Sequence, residues 1–337
     1  MTTIMYKEAA EAPARVDDQL QRNAATLEEL AARLIAEPPA AFVTIGRGSS
    51  DHAATYARVL VETQLGILSS SLPPSTFSVF KAPLSLRNVL CLTISQSGRS
   101  PDLLAAAAAA RDSRAIVVAL VNDTRSPLAE IATVVLPQSA GPELSAAATK
   151  SFITSLSAIA QMVALWSGNE AMLNALPQLP SALRQAWEED WSPVREMLQT
   201  ADHVYTVGRG LHLGIAQEAA HKLKETCKIH AEAFSSAEVL HGPNELADDG
   251  FPVLMFRSED AGDASVLEAA RILHAQGASV MMAGGQEEGL TLPRAPHPAL
   301  APILQIQAFY RMVDALAADR GYNPDQPRHV QKVTHTV

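Results

Sequence analysis

A chain of 337 residues with a formal net charge of −10 is too long for one small core and too acidic for a general nucleic-acid binder, which needs a basic face. Few aromatics and many alanine-rich segments favour helices with interspersed strands. No apolar run reaches the roughly 18 residues that span a bilayer, so no membrane partner is expected. The two cysteines, Cys91 and Cys227, are spaced for neither a zinc site nor a disulfide framework, and Cys91 sits in an apolar run that predicts a buried thiol. Met1 to Gln19 carries acidic residues without an apolar core, which does not read as a signal peptide, and a reducing cytoplasm is the expected location.

Residues 5–35 read as helical with a break near Pro13. Ala41 to Ile45 is a short buried strand that runs into Gly46-Arg47-Gly48-Ser49-Ser50 and a helix to about Leu65, the opening of an α/β unit. Val89 to Ile94 is a second strand. It enters Ser95-Gln96-Ser97-Gly98-Arg99-Ser100, with Ser100 as N-cap and Pro101 at the first helical position. Ala115 to Val121 is a third strand, Ser126 to Ala132 a short helix, Thr133 to Pro137 another strand and Thr149 to Trp166 a long apolar helix. Residues 170–182, with Pro177 and Pro180, read as a link between halves, and a helix through Trp187 and Trp191 follows.

The second half repeats the first. Val204 to Val207 enters Gly208-Arg209-Gly210, matching Ile45 and Gly46-Arg47-Gly48. Phe256 follows Val207 by the interval that separates Ile94 from Ile45, and Ser279 to Ala283 matches Ile116 to Leu120. Three strands in one register predict a duplication: two α/β domains, 1–170 and 183–337, each a mostly parallel sheet flanked by helices.

Ligands of such sheets sit at the carboxyl ends of the strands. The hydroxyls and amide of Ser95, Gln96, Ser97 and Ser100, with the N–H groups of a helix start, suit a phosphate, and Ser50 is a second contributor. Neither a Walker loop nor a dinucleotide fingerprint is present. The predicted helix from Leu213 to Thr226 carries Glu218, Lys222 and Glu225 on one face. A solvated charge stripe is the ordinary reading of such a face. Apolar surroundings, the glycine turn before it and the loop Leu240-His241-Gly242-Pro243 after it favour a proton-transfer site. Alone, a loop histidine such as His241 and a tail lysine such as Lys332 are ordinary solvent-facing groups.

Taken together, these segments resemble the sugar isomerase (SIS) domain family. The nearer match is the tandem isomerase half of the glutamine–fructose-6-phosphate amidotransferases and the type II glucosamine-6-phosphate deaminases. Ser95-Gln96-Ser97-Gly98, Lys222-Leu223-Lys224-Glu225, His230-Ala231-Glu232-Ala233, Glu238, His241-Gly242-Pro243 and Asp325-Gln326-Pro327-Arg328 through Lys332 carry the resemblance in order.

The resemblance implies two flavodoxin-like SIS domains in three layers, a homodimer, and a hexose 6-phosphate or amino-sugar phosphate substrate, with neither metal nor cofactor. Ser50, Ser95, Gln96, Ser97 and Ser100 would hold the phosphate. Glu225 would carry the proton between C1 and C2, supported by Lys222 and Glu218. His241 of the neighbouring subunit would open the ring, and Lys332 would close over the sugar and form an imine with the ketose. Arg99-Ser100 departs from the family's Glu-Thr, and Ala148 from its serine.

A glutaminase domain with an N-terminal cysteine has no room before residue 40, so hydrolysis of glucosamine 6-phosphate to fructose 6-phosphate and ammonia is the expected reaction. The alternatives are aldose–ketose isomerisation or deglycation of another sugar phosphate, ammonia-dependent synthesis, or a non-catalytic phosphosugar regulator.

Overall fold

The structure, a computed structural model, describes residues 2–284 and 290–329. The chain divides into two compact units. One is built from Ala14–Glu143 and Lys150–Pro177, the other from Met1–Pro13, Leu144–Thr149 and Gln178–Val330.

In the first unit, β1 (Ala41–Ile45), β2 (Ser69–Ser71), β3 (Val89–Ser95), β4 (Ile116–Val121) and β5 (Val134–Pro137) form one sheet in the order β2-β1-β3-β4-β5. Every pairing is parallel. Parallel strands need covered faces, and these have them: all seven residues of β3 are buried. Val43, Cys91, Val117 and Ala119 pack against Leu103, Ala106 and Ala110 of the helix Pro101–Asp112, whose alanines let helix and sheet approach closely. Burial pushes the Cys91 thiol up to about 12, which makes it a core residue rather than a nucleophile.

The second unit holds β6 (His203–Gly208), β7 (His230–Ser235), β8 (Pro252–Phe256) and β9 (Ser279–Ala283) in the order β7-β6-β8-β9, again all parallel. Tyr205, Val207, Val253 and Met255 pack with Val266, Ala269 and Leu273 of the helix Asp263–Ala275. The strands matched by the sequence repeat occupy matched positions. β1 and β6, β3 and β8, β4 and β9 are equivalent in order and direction.

Two features differ from the expected organisation. Residues 170–182 are largely helical, in Glu170–Ala175 and Leu179–Glu188, and Pro180 lies in the first turn of its helix, where no backbone bond is lost. The entry helix Ile4–Ala10 belongs with the second half. The carboxylate of Asp325 accepts the N–H groups of Ile4 and Met5 at 2.7 and 2.8 Å, and Gln307 donates to the Ala9 carbonyl at 3.0 Å. The Thr3 hydroxyl also donates to Asp314.

Candidate active site

The order of each sheet reverses direction once. In the first sheet this happens between β1 and β3, so the loops leaving those two strands border the crevice where open α/β sheets bind ligands. Those loops are Gly46–Ser50 and Ser95–Ser100. Gly98 holds the second loop in a left-handed conformation, φ 63°, and any side chain there would overlap the Ser126 side chain.

The predicted phosphate residues fall into two groups. Gln96 and Ser97 line an open cavity of about 720 Å³, together with Asn122, Thr124 and Arg125. Ser95 is buried, and its Oγ accepts the Gly98 N–H at 3.0 Å, so it shapes the turn from within. Ser100 stands at the N-cap with Pro101 behind it, but its hydroxyl makes no capping bond. That role falls to buried Asp102, whose Oδ1 accepts the Leu103 N–H at 2.8 Å while Oδ2 takes Arg47 at 3.0 Å. The helix start is therefore already served by an internal carboxylate, and Arg47 balances its charge. Arg99 likewise pairs with Asp123 at 2.8 Å, which offsets the positive charge it brings to the loop. Ser50 is half-buried in the first turn of the helix Ser49–Leu65.

The helix Leu213–Cys227 links β6 to β7. Ile215, Ala216, Ala219 and Leu223 bury its apolar face, and Lys228 ends it in a left-handed cap, φ 54°. The charged face is not a solvated stripe. Glu218 and Lys222 are 0% and 1% exposed at their side chains, and Lys222 Nζ lies 3.4 Å from Glu218 Oε1 and 2.6 Å from Glu225 Oε2. Buried charges of this kind are tolerated only when paired and hydrogen-bonded. Tyr310, a buried residue of the helix Ala301–Asp319, donates its hydroxyl to Glu218 Oε1 at 2.9 Å. His221 Nε2 lies 3.1 Å from the other oxygen of Glu225, Oε1.

Each oxygen of Glu225 thus faces a different base. Burial raises its pKa, but the Lys222 ammonium and the His221 imidazole outweigh burial and hold the carboxyl down at about 2. Glu225 also opens onto a cavity of about 690 Å³, whose wall carries Lys224, Lys228, His230, Arg328 and His329. An ionised carboxylate among cationic groups at the mouth of a cavity can exchange protons with an anionic ligand held there.

His241 is exposed, follows the short 3-10 turn Glu238–Leu240, and is not among the residues lining the Glu225 cavity. Lys332 lies outside the described residues. Three partners escaped the reading of the sequence. Tyr310 and the Arg47–Asp102 pair carry no local signal. The His221–Glu225 contact does, since the two are four residues apart on one helix. The loop after β8, Arg257 to Asp263, is the counterpart of the phosphate loop in the second sheet and is built differently. Arg257 is bidentate to Asp263 at 2.9 and 3.0 Å, Asp260 takes the Gly262 N–H at 2.7 Å, and Glu259 adds a third carboxylate. Among the described residues no cluster of three or more His, Cys, Asp or Glu side chains could hold a metal ion, and no helix is long and apolar enough to cross a membrane.

The SIS domain model matches two segments of the chain, residues 37–165 and 197–318, one over each sheet. The chain belongs to the SIS domain family. This SIS protein is 31% identical over 342 residues to the isomerizing glutamine–fructose-6-phosphate aminotransferase of Sulfolobus acidocaldarius, covering 97% of this chain and 56% of that one. It therefore spans about half the length of the curated relatives it matches. A solved structure from Silicibacter pomeroyi, described as a phosphosugar isomerase, is 42% identical with a TM-score of 0.91, covering 96% of this chain and all of the other. The glucosamine-6-phosphate deaminase of Thermotoga maritima shares the fold, with a TM-score of 0.79 at 22% identity over 99% of this chain and 100% of its own. Family and relatives together place two SIS domains in this chain, like those of an isomerizing aminotransferase and of a protein described as a phosphosugar isomerase.

Proposed function

We propose that this SIS enzyme converts glucosamine 6-phosphate and water into fructose 6-phosphate and ammonia. The observation that carries the reading is the Glu225 carboxylate, ionised and held at both oxygens on the wall of a cavity rich in cations. Glu225 takes the proton from C2, the C2–H electron pair forms the C1–C2 double bond, and the carbonyl oxygen takes up a proton that is balanced by the N–H lost when the imine forms. Return of the proton to C1 leaves an imine at C2, which water hydrolyses to the ketone and ammonia. Lys222 keeps Glu225 ionised, and Glu218 fixes Lys222.

Gln96, Ser97 and Ser100, with Ser50, are assigned to the 6-phosphate, and Ser95 to the shape of their loop. His241 is assigned to ring opening in the neighbouring site of a homodimer, which accords with its exposure. Lys332 is assigned to imine formation with the ketose. The aminotransferase relatives support an amino-sugar phosphate, since their name joins fructose 6-phosphate to amino transfer and isomerisation.

A second reading, aldose–ketose isomerisation of a different sugar phosphate, draws on the 42% identity to the Silicibacter pomeroyi protein. The test is to incubate purified protein with glucosamine 6-phosphate and measure ammonia and fructose 6-phosphate. Equal release of both supports deamination. A new aldose or ketose phosphate without ammonia selects the second reading.

A further inference from the structure

The two groups that hold Glu225 differ in their access to water. The Lys222 side chain is 1% exposed, whereas that of His221 is 32% exposed, and Glu225 itself is 13% exposed. A sugar occupying the cavity beside Glu225 would cover the carboxylate from that side. A proton resting on Glu225 then has one bonded neighbour that reaches solvent, the imidazole on Oε1. We propose that His221 is a positioning residue for the shuttle, the outlet through which the proton on Glu225 exchanges with water. The inference rests on Glu225 being the base of the proposed reaction.

The proton balance is simple. The C2–H bond breaks, its electron pair forms the C1–C2 double bond, and the proton lands on Glu225. From there it either goes to C1 or, when the imidazole carries its proton on Nδ1 and Nε2 is bare, passes from Oε1 to Nε2 while the imidazole gives up its other proton towards solvent. The reverse path brings a solvent proton back, so neither residue gains or loses charge over the cycle. The imidazole suits this role because each of its two nitrogens can carry or give up a proton. The buried ammonium of Lys222 has no such path. The fraction of the C2 hydrogen that reaches C1 is therefore set by competition between return to carbon and passage through His221.

The experiment uses glucosamine 6-phosphate deuterated at C2, turned over in ordinary water, with deuterium at C1 of fructose 6-phosphate read by mass spectrometry. His221→Gln keeps a polar amide beside Oε1 but cannot relay a proton. His221→Phe removes both functions and guards against a folding defect in either variant. In both variants the ratio of transferred to lost deuterium rises by roughly a factor of two or more. A ratio unchanged from wild type in a variant that folds and turns over overturns the outlet role and leaves the shuttle reading intact. If Glu225→Gln retains near-normal kcat, or the wild type shows neither turnover nor C1 exchange of fructose 6-phosphate in deuterium oxide, the shuttle reading falls and takes the outlet with it.

Discussion

The ammonium of Lys222 lies 2.6 Å from Oε2 of Glu225 in a position where the lysine is almost wholly buried. An exposed i,i+3 pair of this kind contributes a few tenths of a kcal/mol, whereas a buried one cannot lose its cation without leaving charge stranded in the core. Lys222 also serves Glu218, so removing it takes the nearest cation from two carboxylates. Lys222→Met is expected to cost about 3–5 kcal/mol of stability, read from urea unfolding near neutral pH. A loss within a few tenths of a kcal/mol would mean that the face behaves as a solvated stripe after all.

Glu225→Gln keeps size and hydrogen bonding and removes the base. A general base contributes about 10²–10⁴-fold, and kcat should fall within that range while sugar-phosphate binding is largely kept. Steady-state kinetics together with calorimetric binding of fructose 6-phosphate separate the two quantities. Lost affinity at unchanged kcat would move Glu225 from chemistry to binding.

The same carboxyl links stability to pH. Its pKa is lowered from 4.5 to about 2, so between those values the unfolded chain binds more protons than the native one. Stability from this group is fully present above 4.5 and is lost as pH falls through about 2. The whole effect is on the order of 3 kcal/mol. The wild-type advantage over Glu225→Gln, followed by denaturant unfolding between pH 3 and pH 6, should grow with pH. An advantage that shrinks with rising pH contradicts the assignment.

Ser97 and Ser95 should behave differently although both stand in the same loop. Ser97 faces the cavity, and Ser97→Ala removes a bond to a charged ligand worth about 1.5–3 kcal/mol, raising KM with little change in melting temperature. Ser95→Ala leaves the buried Gly98 N–H without its acceptor, a cost of about 1–3 kcal/mol that appears as lost stability even without substrate. Thermal melts of the two apo variants discriminate. Equal melting temperatures would contradict the division of roles.

If His241 serves the neighbouring site, His241→Ala and Glu225→Ala proteins are each nearly inactive. Mixed dimers regain activity because one of their two sites carries neither change. Subunit exchange followed by assay reads this directly. Heterodimers shown to form yet as inactive as their parents would place His241 elsewhere.

Most of the scaffold was legible because period and punctuation agreed. β1, β3 and β9 are apolar runs ending in glycine or serine turns, β4 is one ending in Asn122-Asp123, and the repeat relates β1, β3 and β4 to strands of the second half. The edge strands β2 and β7 were not legible. β2 is three serines, and β7 has one buried residue, Ala231, among exposed and half-buried ones, so neither shows an apolar pattern. In the site, the helix face was read from spacing alone, but its burial was not. What turns a stripe into a buried network is Tyr310, 92 residues from Glu218, and tertiary packing of that range leaves no local trace. Ser100 holds the N-cap position with Pro101 after it, as expected, but the side-chain bond at this helix start comes from Asp102, which pairs with Arg47 of another strand's loop, a contact without local trace.

The loop after β8 has a consequence for stoichiometry. The repeat predicts two crevices of one design, but the loop after β8 carries the carboxylates of Glu259, Asp260 and Asp263, with Arg257 already committed to Asp263. An oxyanion arriving there meets repulsion where its twin meets hydroxyls. Saturation of the chain with a phosphosugar should therefore end at one equivalent per polypeptide, the second copy having exchanged a binding pocket for a structural one.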